Sequence, residues 1–195
     1  MDNPRHLILA SGSRYRKELL GRLGLAFEVA VPNVDESPRS GEAPADTALR
    51  LAVLKARALE KDHAGALIIG SDQVASCGGR RFDKPGNHEN ARRQLLELSG
   101  KTAQFDTAVA LLDTRNAGLQ TRVVPCRVTF RMLGEDLIER YLQKEKPYDC
   151  AGAAKAEGLG IALIARIETD DPTSLIGLPL IALSEMLRKA GLSVP

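Results

Sequence analysis

The chain has 195 residues, 44% hydrophobic and 27% charged, enough to bury about 70% of its unfolded surface without disulfides or a structural metal. Its 27 basic residues stand against 25 acidic ones, a net charge of +2, aromatics make up 4%, and there is no Trp. That balance excludes a generic nucleic-acid binder, which carries a basic excess and aromatic stacking platforms, and it excludes an acidic disordered chain.

From the N-terminus, His6 to Ala10 is a short apolar run bounded by Ser11-Gly12-Ser13, which predicts a strand and a loop. Tyr15, Leu19 and Leu23 then recur as one helical stripe, stopped by Gly24. Phe27 to Val31 is a second strand, and Pro32 to Pro44 a polar loop. Ala45 to Asp62 is a long helix with Pro44 near its start. Leu67-Ile68-Ile69 is a buried strand running into Gly70-Ser71-Asp72-Gln73, and Cys77-Gly78-Gly79-Arg80 is a hairpin turn. His88 to Leu98 is a helix capped by Asn87.

Lys101 to Leu112 and Gln120 to Leu133 are longer strands joined by Asn116-Ala117-Gly118. In the second, Val124, Cys126, Val128, Phe130 and Met132 alternate with Arg127, Thr129 and Arg131, one face packed and one wet. Glu135 to Lys144 is a helix ended by Pro147, Ile161 to Ile167 a strand, and Pro179 to Ala190 a last helix closed by Gly191. The mixture predicts an α/β or α+β fold with a mixed sheet over 1–195, as one domain or two small lobes sharing a core. No apolar run approaches the ~20 residues of a membrane span, and Met1 to Leu9 has no leader pattern. Cys77, Cys126 and Cys150 show no C-x-x-C spacing, the mark of reduced thiols in a cytoplasmic protein.

Several places hold groups capable of chemistry. Ser11-Gly12-Ser13-Arg14-Tyr15-Arg16-Lys17 joins a strand to a helix, where free N–H groups and cations suit an anion; a plain capped helix with solvated charges is the alternative. Asp72 follows a rigid buried strand and offers hard oxygens to Mg²⁺ or Mn²⁺, or else is a turn residue. Lys55 has Leu51, Ala52, Ala58 and Leu59 as helical neighbours, so it either snorkels past the core or points into a charged site. Glu36 lies in the acidic loop Asn33 to Ser37, by default solvated, and Lys84 is held beside Pro85. Two Gly-punctuated segments, Lys144 to Gly152 and Glu157 to Gly160, permit close backbone approach to a ligand or merely connect. There is no P-loop and no G-x-G-x-x-G after the first strand. Basic clusters, a few carboxylates and only three His point to phosphate chemistry with a hard divalent cation.

These segments taken together resemble the Maf family of nucleotide pyrophosphatases, most closely its 7-methyl-GTP branch. The matching stretches are LILASGSRYRKELL, NVDES, Lys55, LIIGSDQV, DKP, YLQKEKPYDCAGAAKAEGLG and DPTSLIGLPLIAL, in order from Leu7 to about Leu187. The resemblance implies a two-lobed fold with an elongated mixed sheet flanked by helices and a cleft between lobes. It implies hydrolysis of a nucleoside triphosphate to monophosphate and diphosphate with Mg²⁺, Mn²⁺ or Co²⁺, by a homodimer that needs neither nucleic acid nor membrane. Ser11, Arg16, Glu36, Lys55, Asp72 and Lys84 match the family's polar site, Asp72 as proton acceptor and Glu36 with Asp72 toward metal. Tyr15, Gln73 and Glu157 match the positions that divide its branches. Relatives often have Pro at Arg14 and Gly at Asp83, and the 7-methyl-GTP branch has Trp at Tyr15. A dTTP/UTP pyrophosphatase and a non-catalytic nucleotide-binding regulator of cell division are the rival readings.

Overall fold

The protein is described by a computed structural model covering residues 5–194. Residues 1–4, which open the stretch read for a leader pattern, and Pro195 lie outside the described residues. The described residues form seven strands and five α-helices: β1 Leu7–Ala10, α1 Arg14–Gly21, β2 Glu28–Ala30, α2 Pro44–Ala58, β3 Leu67–Cys77, β4 Arg80–Phe82, α3 His88–Leu98, β5 Thr102–Asp113, β6 Gly118–Phe130, α4 Glu135–Glu145, β7 Ile164–Glu168 and α5 Leu180–Lys189. The sheet order is β2-β1-β3-β5-β6-β7, with β4 paired to β3. β1 is parallel to both β2 and β3, while β3–β4 and β6–β7 are antiparallel, so the sheet is mixed. Among the described residues no helix is long and apolar enough to cross a membrane.

The chain divides into two compact units. Of the described residues, the first comprises 5–73, Thr107–Val124 and 171–194. Here β1 and β3 pair Leu7 with Leu67 and Ile8 with Ile68. Since strand residues alternate faces, Leu7, Leu9, Leu67 and Ile69 share one face and pack with Leu19, Leu20, Leu183 and Leu187 of α1 and α5. Ile8, Ile68 and Gly70 take the other face, where α2 lies. A Cβ built on Gly70 would stand 2.0 Å from the Ala52 carbonyl oxygen and 2.9 Å from the Ala56 amide nitrogen. With Ala48, Ala52 and Ala56 fully buried on the helix side, small residues on both partners bring the backbone of α2 onto the strand. At the other end of the unit, Asp171 caps two segments: its carboxylate accepts from Thr173 N and Oγ1 at 3.2 and 2.7 Å and from Ile181 N and Ala182 N at 2.8 and 3.2 Å.

The second unit comprises Val74–Asp106 and Pro125–Asp170. Gly78 and Gly79 both adopt positive φ, 57° and 81°, as the two-residue hairpin between β3 and β4 requires. Asn87 caps α3 by accepting from Asn90 N at 2.9 Å. Cys126, Val128 and Phe130 of β6 are buried, with Arg127 and Arg131 exposed. The three cysteines are free thiols, and burial pushes Cys126 up to about 11.

Several predicted boundaries move. α1 ends at Gly21, before Leu23, and Tyr15 stands outside the apolar cluster that Leu19 joins. α2 ends at Ala58 rather than Asp62, closed by the Leu59 and Glu60 amides on the Ala56 and Arg57 carbonyls. Met132, predicted on the packed face, is 82% exposed because β6 stops at Phe130 and alternation no longer applies. The predicted strand from Ile161 begins only at Ile164, since Leu159–Leu163 winds into a 3-10 turn. β3 runs on through Gln73 to Cys77, which alters how Asp72 is presented.

Candidate active site

Asp72 lies within β3, not at its end. Its neighbouring strand ends sooner: β1 stops at Ala10, opposite Gly70, while β3 continues. Alternation places Asp72 on the same face as Gly70, the face covered by α2. The close approach at Gly70 brings the next turn of that helix within reach. Lys55, only 6% exposed, donates from Nζ to Asp72 Oδ1 at 2.7 Å and to Glu36 Oε2 at 2.7 Å. The Asp72 side chain is 12% exposed and that of Glu36 55%. A buried ammonium needs such partners, because an unpaired charge in this setting is strongly unfavourable. Of the two open readings of Lys55, the structure therefore shows the cation pointed into a charged site.

The loop after β1 converges on the same region. Ser11 is 5% exposed, and its Oγ accepts from Ser13 N at 3.1 Å and from Arg16 Nη1 at 3.4 Å. Ser13 caps α1 by accepting from Arg16 N at 3.4 Å. Arg16 Nε donates to the Gly177 carbonyl at 2.9 Å. Desolvation pulls the Arg16 guanidinium below its ordinary value, while the charges of Asp72 and Glu36 pull it back up; a guanidinium stays protonated at any physiological pH. Arg16 thus senses both carboxylates. Tyr15 is half-buried, with the Arg14 guanidinium carbon 4.7 Å from its ring centroid and Arg14 Nη2 donating to its hydroxyl at 2.6 Å.

Gln73 faces away from Asp72. Its Nε2 lies 2.9 Å from Thr107 Oγ1, 2.9 Å from the Ser174 carbonyl and 3.1 Å from the Leu175 carbonyl. Thr107 donates its own proton to Ser174 O at 2.9 Å. All of Gln73's neighbours at this end are acceptors, so the amide must present its NH₂ here. Ser71 on the same face donates to the Ala108 and Gly177 carbonyls at 2.8 and 2.9 Å. The sequence assigns no role to Thr107, Ser71 or the Ser174–Gly177 turn, because their contacts span 34 to 161 residues along the chain.

Lys84 and Glu157 belong to the second unit, and both are exposed. The strap carrying Lys84 is tied to α3: Gln94 Nε2 donates to Asp83 O at 3.0 Å and Asn90 Nδ2 to Pro85 O at 2.9 Å. The Gly86 amide donates to Tyr148 O at 3.0 Å. The turn carrying Glu157 hangs from Glu145, which accepts from Leu159 N at 2.7 Å and pairs with Lys155 at 2.7 Å. Buried Tyr141 holds its start, donating to Ala153 O at 3.1 Å and accepting from Lys155 N at 3.0 Å. Of the nine predicted site residues, Ser11, Arg16, Glu36, Lys55 and Asp72 form one polar group within the first unit.

The family model for Maf-like proteins matches residues 6–190. The chain belongs to the Maf family. It is 57% identical over 185 residues to the 7-methyl-GTP pyrophosphatase of Cupriavidus pinatubonensis, covering 95% of this chain and 93% of that one. It is 56% identical over 188 residues to the protein of the same name from Thiobacillus denitrificans, covering 96% and 94%. Among solved structures, a HAM1 protein from Coxiella burnetii overlaps 65% of this chain and 73% of its own at a TM-score of 0.45 and 16% identity.

At the entry to α2, Glu42 accepts from Arg50 Nε and Nη2 at 2.6 and 2.7 Å and from Thr47 Oγ1 at 2.8 Å. The Arg50 bond above all holds Glu42 down at about 2, against an ordinary value of 4.5. A carboxylate with a lowered folded pKa stabilises fully above its unfolded value and loses that contribution as pH falls through the folded one. The expected result is that Glu42→Gln is less stable than the parent by a constant margin from pH 7 to pH 5. Below about 4.5 the margin narrows, closing near 2. Urea midpoints across pH 2–7 measure it, and a margin that stays constant to pH 2.5 contradicts the assignment.

Proposed function

We propose that this protein hydrolyses 7-methyl-GTP to 7-methyl-GMP and diphosphate with a divalent cation, removing a modified nucleotide in the cytoplasm. The observation that carries it is the buried Lys55 ammonium, 2.7 Å from both Glu36 and Asp72, with Ser11 and Arg16 beside them. A triphosphate repels a nucleophile, so its hydrolysis asks for cations on the phosphates and a carboxylate toward the attacking water. Ser11 and Arg16 hold phosphate oxygens, and Lys55 supplies positive charge. Asp72 takes the proton of the water that attacks the α-phosphorus as the bond to the leaving diphosphate breaks.

The donor set suits a hard cation. Among the described residues no three His, Cys, Asp or Glu side chains gather as a metal cage, but Mg²⁺ is typically held by one or two carboxylates plus substrate phosphates. Glu36 and Asp72 already converge on one cationic atom, and they are the residues that would hold the metal. When bound, such a cation screens the triphosphate charge and polarises the phosphoryl group.

The base preference follows from charge. The imidazole ring of 7-methylguanine is cationic, and the Tyr15 ring already carries a cation, Arg14, on its face. Exchange of one cation for another there gives a cation–π contact of roughly 0.5–2 kcal/mol. A carboxylate such as that of Glu157 attracts a cationic guanine and accepts from its N1–H and N2–H₂ edge. Glu157→Gln is therefore expected to lower kcat/KM for 7-methyl-GTP more than for UTP; equal losses remove Glu157 from the base site. The function itself is tested by diphosphate release from a panel of normal and modified triphosphates with Mg²⁺, Mn²⁺ and Co²⁺. The expected result is fastest turnover of 7-methyl-GTP. Preferred turnover of dTTP or UTP, or none of any triphosphate, overturns the proposal.

A further inference from the structure

Glu36 sits on a loop that burial does not hold: Asp35 to Gly41 are all exposed. Its carboxylate reaches Lys55, but one contact from a side chain 55% exposed does not fix a loop against the conformational entropy of its backbone. Other anchors are polar. Ser37 N donates to Asp35 Oδ1 at 2.9 Å, which shapes the turn around Glu36. Arg50, one to two helical turns before Lys55 on α2, reaches both ends of the segment. Its Nη2 donates to the Ser37 carbonyl at 3.2 Å, next to Glu36 in the chain. Its Nε and Nη2 grip both oxygens of Glu42 at 2.6 and 2.7 Å.

We propose that Arg50 is a positioning residue: it clasps the 35–42 loop onto α2 and thereby holds Glu36 against Lys55. An exposed surface ion pair would be worth little. This pair differs in being two-pronged and mostly enclosed, the Arg50 and Glu42 side chains being 18% and 13% exposed. Thr47 Oγ1 adds a further bond to the same carboxylate. The planar fork matters, because one group must serve a carboxylate and a backbone carbonyl at once, which a lysine ammonium on its flexible stem does poorly. The inference rests on the proposed function only where it concerns activity; the clasp itself is a statement about the loop.

The test uses Arg50→Met, Arg50→Lys, Glu36→Gln and the double variant Arg50→Met/Glu36→Gln. Trypsin cleavage at Arg39–Ser40, followed by mass spectrometry under native conditions, reads the loop directly. In Arg50→Met it is expected to rise roughly tenfold or more, since cleavage follows the population of the open loop, with Arg50→Lys between it and the parent. On 7-methyl-GTP, Arg50→Met is expected to lower kcat/KM by about 10- to 100-fold, the range for a misplaced functional group. In the Glu36→Gln background the same change should cost nothing further, because a residue acting through Glu36 has no effect once Glu36 is gone. Unchanged cleavage, or losses that multiply independently, overturns the clasp. If the parent turns over no triphosphate, the proposed function fails, and the cleavage rates alone decide the clasp.

Discussion

Asp72→Asn is expected to lower kcat by about 10²- to 10⁴-fold, the usual share of a general base, while nucleotide still binds. The substitution keeps the shape of the side chain and leaves an oxygen for Lys55 Nζ, now 2.7 Å from Asp72 Oδ1. It removes the negative charge that accepts a proton. Lys55 retains Glu36 as a charged partner at 2.7 Å, so the ammonium is not stranded and the fold survives. Turnover of 7-methyl-GTP and calorimetric binding of an analogue bridged by carbon between the α- and β-phosphorus separate the two effects. Near-full activity would reduce Asp72 to an ion-pair partner of Lys55. Loss of binding with kcat intact would make it a phosphate or metal contact only.

Gly70→Ala is expected to destabilise the protein severely although Gly70 bears no chemistry. Overpacking typically costs 1–3 kcal/mol, occasionally more. This case lies at the upper end, because the methyl would meet the Ala52 carbonyl oxygen at 2.0 Å, and backbone cannot rotate away as a side chain can. For a chain of this size, about 3 kcal/mol corresponds to roughly 6–12 °C in Tm. The only relief is for α2 to lift from β3, which draws Lys55 from Asp72. Activity should therefore fall even below the unfolding transition. An unchanged Tm would mean that the helix does not press on the strand at Gly70.

Most elements could be read directly, because each follows from a local rule. The apolar run ending at Ala10, the Asn87 cap, the Gly78-Gly79 turn and the alternation along β6 depend on residues a few positions apart. The errors came where a neighbour in space decides. Asp72 read as the end of a strand because Gly70-Ser71-Asp72 is small and polar, yet β3 continues to Cys77, and its hairpin with β4 pairs Ala75 with Phe82. Tyr15 falls on the helical stripe of Leu19 and Leu23, yet it stands outside the apolar cluster they pack in, and its ring is faced by Arg14. Lys55 was conspicuous among apolar neighbours, but spacing alone left open whether it snorkelled or met a charge.

The sequence by itself determined the family and the mixed α/β class, and it named candidate polar residues, because ordered motifs and short-range periodicity survive in one dimension. Only the tertiary structure decided that Glu36 and Asp72 meet on one ammonium, across 19 and 17 residues of chain. It alone tied Arg50 to the loop that carries Glu36. The physical reason is the same in each case. A charged side chain's partner is chosen by burial and by which backbone a helix rests on, and neither is written in the spacing of the residues that finally touch.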